Sequence, residues 1–474
     1  MKSIKPEPVI VLVGLGLHAK RIYLPYLAQN KQRLGLVIDL ESNSDAVNQY
    51  LKDNGIDCQT YFIANKQRDD EKLNKRDESN IAVLCRDLGI THAIISTEPK
   101  AHKAYAKFFV PNGIDTLVDK PITSPLHPST KPKQARKIYK DYKELALLAK
   151  NPSHGRLTVQ AQRRFHVGYL FVYDLINKII ADYNVPITYL DTYHCDGLWS
   201  MPPEFVFREN HPYKYGYGKL MHSGYHFVDV AAWFLDLNNQ IVNKCPDNAE
   251  VANYMLRPSD FTSIVDEDNY KQFFGEQVFS DHFNTKHQMA AYGEIDSSSV
   301  LRMKRGDKTV ALCSINLLQN GFSRRSWPDL PQDTYKSNGR IRHERLSVQV
   351  GPLLNVQIHS YESYEIKDKH KHAHELFDTG NNEHFDIYIY RNSDLIGGKA
   401  YEKIGIEQLY KHEGSIGHNE AAREKCLMQF LSGSADISDI AAHNSTNRLL
   451  SNLYLAACND FKGRPAISKF KLGI

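Results

Sequence analysis

The sequence predicts an α/β protein. Its N-terminal part is a doubly wound parallel sheet, and an α+β domain with a largely antiparallel open sheet follows. Three observations carry this reading. A β-branched run from Val9 to Val13 enters a glycine turn, a helix and a second apolar run that ends on Asp39. Apolar runs and amphipathic stretches then alternate as far as Val118. From Leu157 onward, long stretches alternate apolar with polar residues.

Val9-Ile-Val-Leu-Val13 reads as a buried parallel strand. Gly14-Leu15-Gly16-Leu17-His18-Ala19 follows it, then a stretch with Ile22, Leu24 and Leu27 among polar residues. Gly14 permits a tight turn, Gly16 lets backbone approach a pyrophosphate, and the small Ala19 lets the helix lie close to the strand. The helix N-terminus offers N–H groups and a positive dipole end to phosphates. The second strand, Leu34 to Ile38, delivers Asp39, whose carboxylate can take both hydroxyls of an adenine ribose. The pattern predicts a dinucleotide site, against the plain alternative of a strand–helix turn that binds nothing. Asp39 repels a 2′-phosphate, and neither Leu40 nor Glu41 supplies a cation beside it. NAD is therefore expected over NADP.

Residues 44–55 read as a helix ending at Gly55, and Cys58 to Ala64 as a strand. The charged stretch Asn65 to Ser79 reads as a solvated loop. Ile81 to Leu88 is helical and stops at Gly89. His92 to Thr97 is a strand, Ala104 to Phe109 lies in a helix, and Ile114 to Val118 is a further strand. The Pro- and Lys-rich segment Ser124 to Lys133 reads as a loop, and residues 135–150 as the helix closing a first domain, 1–150. The second domain, 151–474, carries strands over Ile187–Tyr193, Val300–Lys304, Thr309–Leu317 and Arg345–His359, with a hairpin at Arg305-Gly-Asp-Lys308. Ile437 to Phe461 is its last helical stretch.

Composition narrows the function. A net charge of +4 over 474 residues leaves no footprint for nucleic acid or an anionic membrane surface. No apolar run is long enough to span a bilayer, and Met1-Lys-Ser-Ile-Lys-Pro6 lacks the apolar core of a signal peptide. Seven dispersed cysteines without a CxxC pair fit reduced thiols and a cytoplasmic location.

Two further stretches carry chemistry. Asp119-Lys120-Pro121 ends a strand, where an open α/β sheet binds its ligands; the alternative is a surface lysine after a strand. The second is Lys219-Leu-Met-His222-Ser-Gly-Tyr-His226-Phe-Val-Asp229. Spacings of four and three place His222, His226 and Asp229 along one helix face. A histidine can exchange a proton near neutral pH, as alcohol oxidation requires. Zinc is the competing reading, but the glutamate of HExxH and a third ligand are absent, so no metal is expected. Histidines satisfied within a core are the other alternative.

In order, these motifs resemble the glucose–fructose oxidoreductase / inositol dehydrogenase (Gfo/Idh/MocA) family. They are the glycine turn with Leu24-Pro25, Ser96-Thr97-Glu98-Pro99 with His102, Asp119-Lys120-Pro121, Gln162-Arg163-Arg164-Phe165, and the stretch ending His226-Phe-Val-Asp229. The resemblance covers residues 9 to about 235 and continues only in outline. It implies a Rossmann domain, a substrate-binding and oligomerising α+β domain, and hydride transfer between NAD(P) and a hydroxyl or carbonyl of a sugar, polyol or related molecule. It implies proton-handling roles for Lys120 and His226, with His222 beside them. Cofactor contacts fall on Gly14, Leu15, Gly16, His18, Ala19 and Asp39. They fall also on Thr97, Pro99, His102, Asp119 and Lys120, and near the nicotinamide on Gln162 and Arg163. It further implies a site between the domains and a homodimer or larger homo-oligomer.

Two departures stand out. Asp119 replaces the usual glutamate and keeps its charge. His222 stands where the family commonly has aspartate, which removes a negative charge beside His226. Tyr213, Tyr215 and Tyr217 with Trp199 read equally well as a sugar-stacking surface or as packing. Arg324, Arg325, Arg340, Arg342 and Arg345 read as anion ligands or solvated strand edges, and His370, His372 and His374 as an exposed loop. Two other function classes stay open: a non-catalytic dinucleotide-binding sensor, and an NAD-dependent glycosidase.

Overall fold

The computed structural model describes residues 7–68, 70–208, 211–275, 289–321, 340–364, 383–410 and 418–472. The chain divides into two compact units. The first comprises residues up to Ser124, Ile138–His166 and Gly414–Asn444; the second comprises Pro125–Lys137, Val167–Glu413 and Ser445–Ile474.

The first unit is built on six parallel strands: β1 (Val9–Val13), β2 (Arg33–Leu40), β3 (Gln59–Ile63), β4 (His92–Ile95), β5 (Asp115–Asp119) and β6 (Leu157–Gln160). Their order across the sheet is β3-β2-β1-β4-β5-β6. The order reverses between β1 and β4, and ligands of such sheets bind outside the strand ends at that point. Apolar clusters cover both faces. Val11, Val13, Ile38, Ile95 and Val118 lie in one, and Ile10, Leu12, Val37, Ile94 and Leu117 in the other. Strands buried on both faces have to be continuous apolar runs, which is why they were legible. β6 pairs with β5 through Thr116↔Leu157 to Asp119↔Gln160, so the sheet continues past residue 150. The helix His418–Ser432 brings Cys426, Leu427 and Phe430 into the same unit's core.

The charged stretch read as a loop differs in its second half, because a helix begins at Lys75 and runs to Leu88. Asn74 caps it by accepting the Asp77 N–H, and buried Asp77 accepts from the Tyr61 hydroxyl at 2.6 Å. Charge pattern alone missed the capping geometry.

The second unit holds β7 (Ile187–Leu198), β8 (Asn248–Leu256), β9 (Asp296–Arg305), β10 (Lys308–Asn320), β11 (Arg340–Val350), β12 (Leu354–Tyr364), β13 (Glu383–Arg391), β14 (Tyr401–Gly405) and β15 (Ile467–Lys471). They form one sheet in the order β14-β13-β12-β11-β7-β10-β9-β8-β15. All pairings are antiparallel except β7 with β10. The span Arg345 to His359, read as one strand, is two strands joined at Gly351, whose φ is +46°. The hairpin at Arg305–Lys308 is as expected. One face is apolar and buried, with Leu190, Ile315, Val348, Ile358 and Ile387. The other alternates polar residues with exposed Tyr189, Val300, Leu312 and Tyr390. No described helix is long and apolar enough to cross a membrane.

Candidate functional site: a dinucleotide cradle and a histidine turn

Gly14 leaves β1 with φ +88°, and its N–H donates to the Ile38 carbonyl at 2.8 Å. A Cβ at Gly14 would lie 2.7 Å from the Ser96 carbonyl oxygen and 2.9 Å from Thr97 Cγ2, so the loop leaving β4 closes one side of the turn. At Gly16 a Cβ would meet nothing within 4 Å. The two glycines therefore do different work. Gly14 is required by close packing and a left-handed φ, whereas Gly16 leaves the open side of the turn bare.

The helical run begins at Leu17, with a π-turn over Ala19–Tyr23 and an α-helix over Leu24–Gln29. The Leu24 N–H reaches the Ala19 carbonyl, five residues back. That wider turn accommodates Pro25, which has no N–H to donate and crowds the preceding turn of a regular helix. Ala19 is fully buried against the sheet.

Asp39 is fastened to the turn. Its Oδ2 accepts the Leu15 N–H at 2.8 Å, and its Oδ1 accepts the Leu40 N–H and the Asn43 amide at 2.7 Å each. A carboxylate offers about four acceptor positions, so acceptor capacity is left on Oδ2. Asn43 is a participant that sequence reading passed over; its position one helical turn beyond the acid was the available signal.

The ends of β4 and β5 meet at Asp119. Its carboxylate accepts from the Tyr23 hydroxyl and from the Ser96 hydroxyl at 2.7 Å, and the His18 ring approaches to 3.8 Å. Burial lowers the His18 pKa; Asp119 opposes this, and Arg423, Lys120 and Arg21 add to the depression. The ring still exposes 37% of its side chain. Neutral at physiological pH, it makes a polar contact with Asp119 rather than an ion pair. Burial likewise drives the Tyr23 phenol well above its ordinary pKa.

His102 is fully buried in the helix Pro99–Phe109, which Pro99 opens. Its Nδ1 lies 2.9 Å from the Pro121 carbonyl and its Nε2 3.0 Å from the Thr97 carbonyl. Burial lowers its pKa, and a neutral ring carries one N–H, so it donates to one carbonyl at a time. The ring thus ties the β4 exit, with Thr97, to the loop carrying Lys120. Half-buried Lys120 is held between anchored neighbours, Asp119 on one side and Pro121 on the other.

After β6, Gln162, Arg163 and Arg164 lie in a buried 3₁₀ turn. The Arg163 guanidinium donates to the Asn419 side chain, and Arg164 donates to the carbonyls of Ile437 and Ala442 at 3.0 and 3.1 Å. Gln162 is 2% exposed, and its Nε2 has no hydrogen-bond partner among the described residues. No short-range signal announces Asn419, 256 residues away from its arginine.

These features fit a dinucleotide. Gly16 leaves backbone free for close approach, Asp39 keeps acceptor capacity, and Gln162 holds a buried donor in reserve.

In the second unit, His222 and His226 are 5% and 7% exposed. The expectation of one helix carrying both is corrected. The helix is Tyr225–Leu235, and His222 lies in the turn before it. His222 N–H does reach the Gly218 carbonyl at 2.9 Å, a helical bond, but the run is re-set around Gly224. The His222 ring is surrounded edge-on by His211, Tyr213 and Tyr217 at 4.8–6.0 Å between centroids. Tyr213 and Tyr217 are therefore packed around a histidine. Trp199 donates to the Tyr270 hydroxyl at 3.1 Å, within an aromatic cluster. Asp229 accepts from Thr446 at 2.8 Å in the core.

Sequence reading missed the neighbours of this turn. Lys219, fully buried, places Nζ 2.9 Å from His194 Nδ1, 2.9 Å from Ser223 Oγ and 2.5 Å from Asp196 Oδ2. Burial lowers its pKa, and the Asp196 carboxylate opposes that. Of the arginines considered as anion ligands, Arg345 pairs with Asp191 at 2.8 Å and Arg342 with Glu344 at 2.9 Å. The side chains of Arg324, Arg325 and Arg340, and residues His370, His372 and His374, lie outside the described residues. Among the described residues no three His, Cys, Asp or Glu side chains are placed to hold a metal ion.

No family model matches the chain, and no curated protein matches its sequence. Solved structures do match over nearly its whole length. An oxidoreductase from Agrobacterium radiobacter, in complex with NAD+, L-tartaric acid and magnesium, is 11% identical at a TM-score of 0.56, covering 98% of each chain. The aldose–aldose oxidoreductase from Caulobacter crescentus, complexed with glycerol, is 14% identical at 0.53, covering 98% of this chain and all of that one. The WlbA dehydrogenase from Chromobacterium violaceum, complexed with NADH and UDP-GlcNAcA, is 13% identical at 0.52, covering 99% and 97%. Identities this low show a shared fold and nothing further.

Proposed function

We propose that this protein is an NAD-dependent oxidoreductase acting on a hydroxyl or carbonyl group of a sugar, polyol or related small molecule. The observation that carries the reading is the glycine turn fastened to Asp39. The acid is bonded to the turn's own Leu15 N–H, and beside it Gly16 leaves the turn open. Solved structures of the same fold hold NAD+ or NADH.

Leu15, Gly16 and the start of the helix would seat the pyrophosphate, with His18 neutral beside it. Asp39 would take the adenine ribose, and its charge disfavours the 2′-phosphate of NADP. Thr97 walls the turn. Gln162 offers an amide donor, and Arg163 is fixed by Asn419. His102 and Asp119 act through the loops they hold, keeping Lys120 in place. The nicotinamide, when bound, supplies the hydride acceptor or donor. We assign the proton of the substrate oxygen to His226, aided by Lys120. The lysine ammonium also stabilises negative charge developing on that oxygen. His222, caged by tyrosines, is assigned to a substrate hydroxyl.

We further propose that copies of the chain pair through the open sheet face, whose exposed Tyr189, Val300, Leu312 and Tyr390 suit a partner better than water. Light scattering should report a dimer or larger species, and a monomer at micromolar concentration would refute it. Calorimetric titration tests the cofactor. NADH should bind with saturation and more tightly than NADPH; no binding of either would overturn the reading.

A further inference from the structure

The turn from Gly218 to Gly224 is held from two sides. On one side, Lys219 N–H donates to the Glu294 carbonyl at 2.8 Å, and Leu220 N–H to the Glu294 carboxylate at 2.8 Å. The same carboxylate oxygen accepts the Tyr454 hydroxyl at 2.9 Å. A Cβ at Gly218 would sit 2.0 Å from the Glu294 carbonyl oxygen, and one at Gly224 2.5 Å from the Lys219 carbonyl oxygen, so the backbone is fitted at both ends.

On the other side the hold is ionic. Lys219 and His194 are 0% exposed and Asp196 5%. The three N–H groups of the ammonium find His194 Nδ1, Asp196 Oδ2 and Ser223 Oγ, which fixes a long flexible side chain in one conformation. Ser223 also donates to Asp196, closing the cycle. Burying such charges does not by itself favour the fold, because apolar residues of similar volume often serve stability as well or better. What the cycle does supply is direction. Ser223 belongs to the turn, its carbonyl receives the His226 N–H at 3.4 Å, and the His194 ring stacks on Phe227 at 4.4 Å, the residue next to His226.

We propose that Lys219, Asp196 and Ser223 are positioning residues for His226: a buried ammonium–carboxylate–hydroxyl cycle that sets where the helix carrying this histidine begins. The inference rests on the assignment of His226 as a proton carrier, and its test needs neither cofactor nor substrate.

The experiment uses the full chain with 13C-labelled histidine. The imidazole C–H signal of His226 is identified by its loss in His226→Gln. In Ser223→Ala, and again in Lys219→Met, that signal should move or split, while the signal of His102 stays in place. Ser223→Thr, which keeps the hydroxyl, should return the His226 signal to its parent position. An unmoved His226 signal in folded Ser223→Ala and Lys219→Met would overturn the proposal. So would failure of both variants to fold, since the cycle would then be purely structural. NADH binding, measured separately on the parent protein, reports on the proposed function alone.

Discussion

Substitution of the two turn glycines separates folding from binding. At Gly14 an alanine must adopt a φ of +88°, and a left-handed conformation costs a Cβ-bearing residue about 1–2 kcal/mol. Its Cβ would also lie 2.7 Å from the Ser96 carbonyl oxygen, a backbone atom of β4's exit that cannot swing aside. Overpacking of this kind costs about 1–3 kcal/mol. Gly14→Ala should therefore lose about 2–5 kcal/mol without any ligand, a fall in Tm on the order of 10 °C. At Gly16 a Cβ meets nothing within 4 Å. Gly16→Ala should leave unliganded stability within about 1 kcal/mol of the parent. The new methyl group would occupy the bare side of the turn, the place proposed for the pyrophosphate. NADH affinity should fall at least about tenfold, equivalent to about 1.4 kcal/mol. Thermal unfolding with and without NADH reads both quantities, and calorimetry confirms the affinity. Parent-like NADH binding in Gly16→Ala would refute the placement of the pyrophosphate at this turn.

Asp39→Ala removes the acceptor of the Leu15 N–H and the charge that repels a 2′-phosphate, so the preference for NADH over NADPH should narrow in paired titrations. Lys120→Ala and His226→Ala should each lower kcat by about 10²–10⁴-fold on any substrate found, with NADH affinity little changed in His226→Ala. Glu144 tests stability against pH. Lys103 and then Lys107 hold its carboxyl down to about 2, so the stabilisation is present above its unfolded value of about 4.3 and is lost as pH falls towards 2. Its side chain is 36% exposed, so solvent screening leaves about 1 kcal/mol. Urea unfolding of Glu144→Gln should show that deficit at pH 7 and none near pH 2.

The first unit was legible because its physics is local. Strands buried on both faces are written as apolar runs, and the turn between β1 and its helix needs particular glycines at particular places. Asp39 and Lys120 stood out as candidates because each lies at the end of such a run. Their fastening was not legible. Asp119 is held by Tyr23, 96 residues away, and Arg163 by Asn419, 256 residues away, and neither pairing leaves a trace in spacing. The histidine turn shows the opposite failure, because its spacing was followed too far. His222 and His226 are four apart and His222 makes a helical backbone bond, yet the helix restarts around Gly224. Nothing near Lys219 indicated that it would be buried on Asp196, since that contact exists only once β7 and the turn have packed together.

The account stands or falls on turnover. The decisive measurement is NADH formation by the purified protein with NAD+ across a panel of sugars, polyols, sugar acids and nucleotide sugars. The same panel is run with Lys120→Ala and His226→Ala. The account predicts stoichiometric NADH from at least one member of the panel, with both variants depressed on that substrate. Saturable NAD binding without turnover on any member would mark a sensor, and release of an aglycone without net NADH a glycosidase; either result would contradict it.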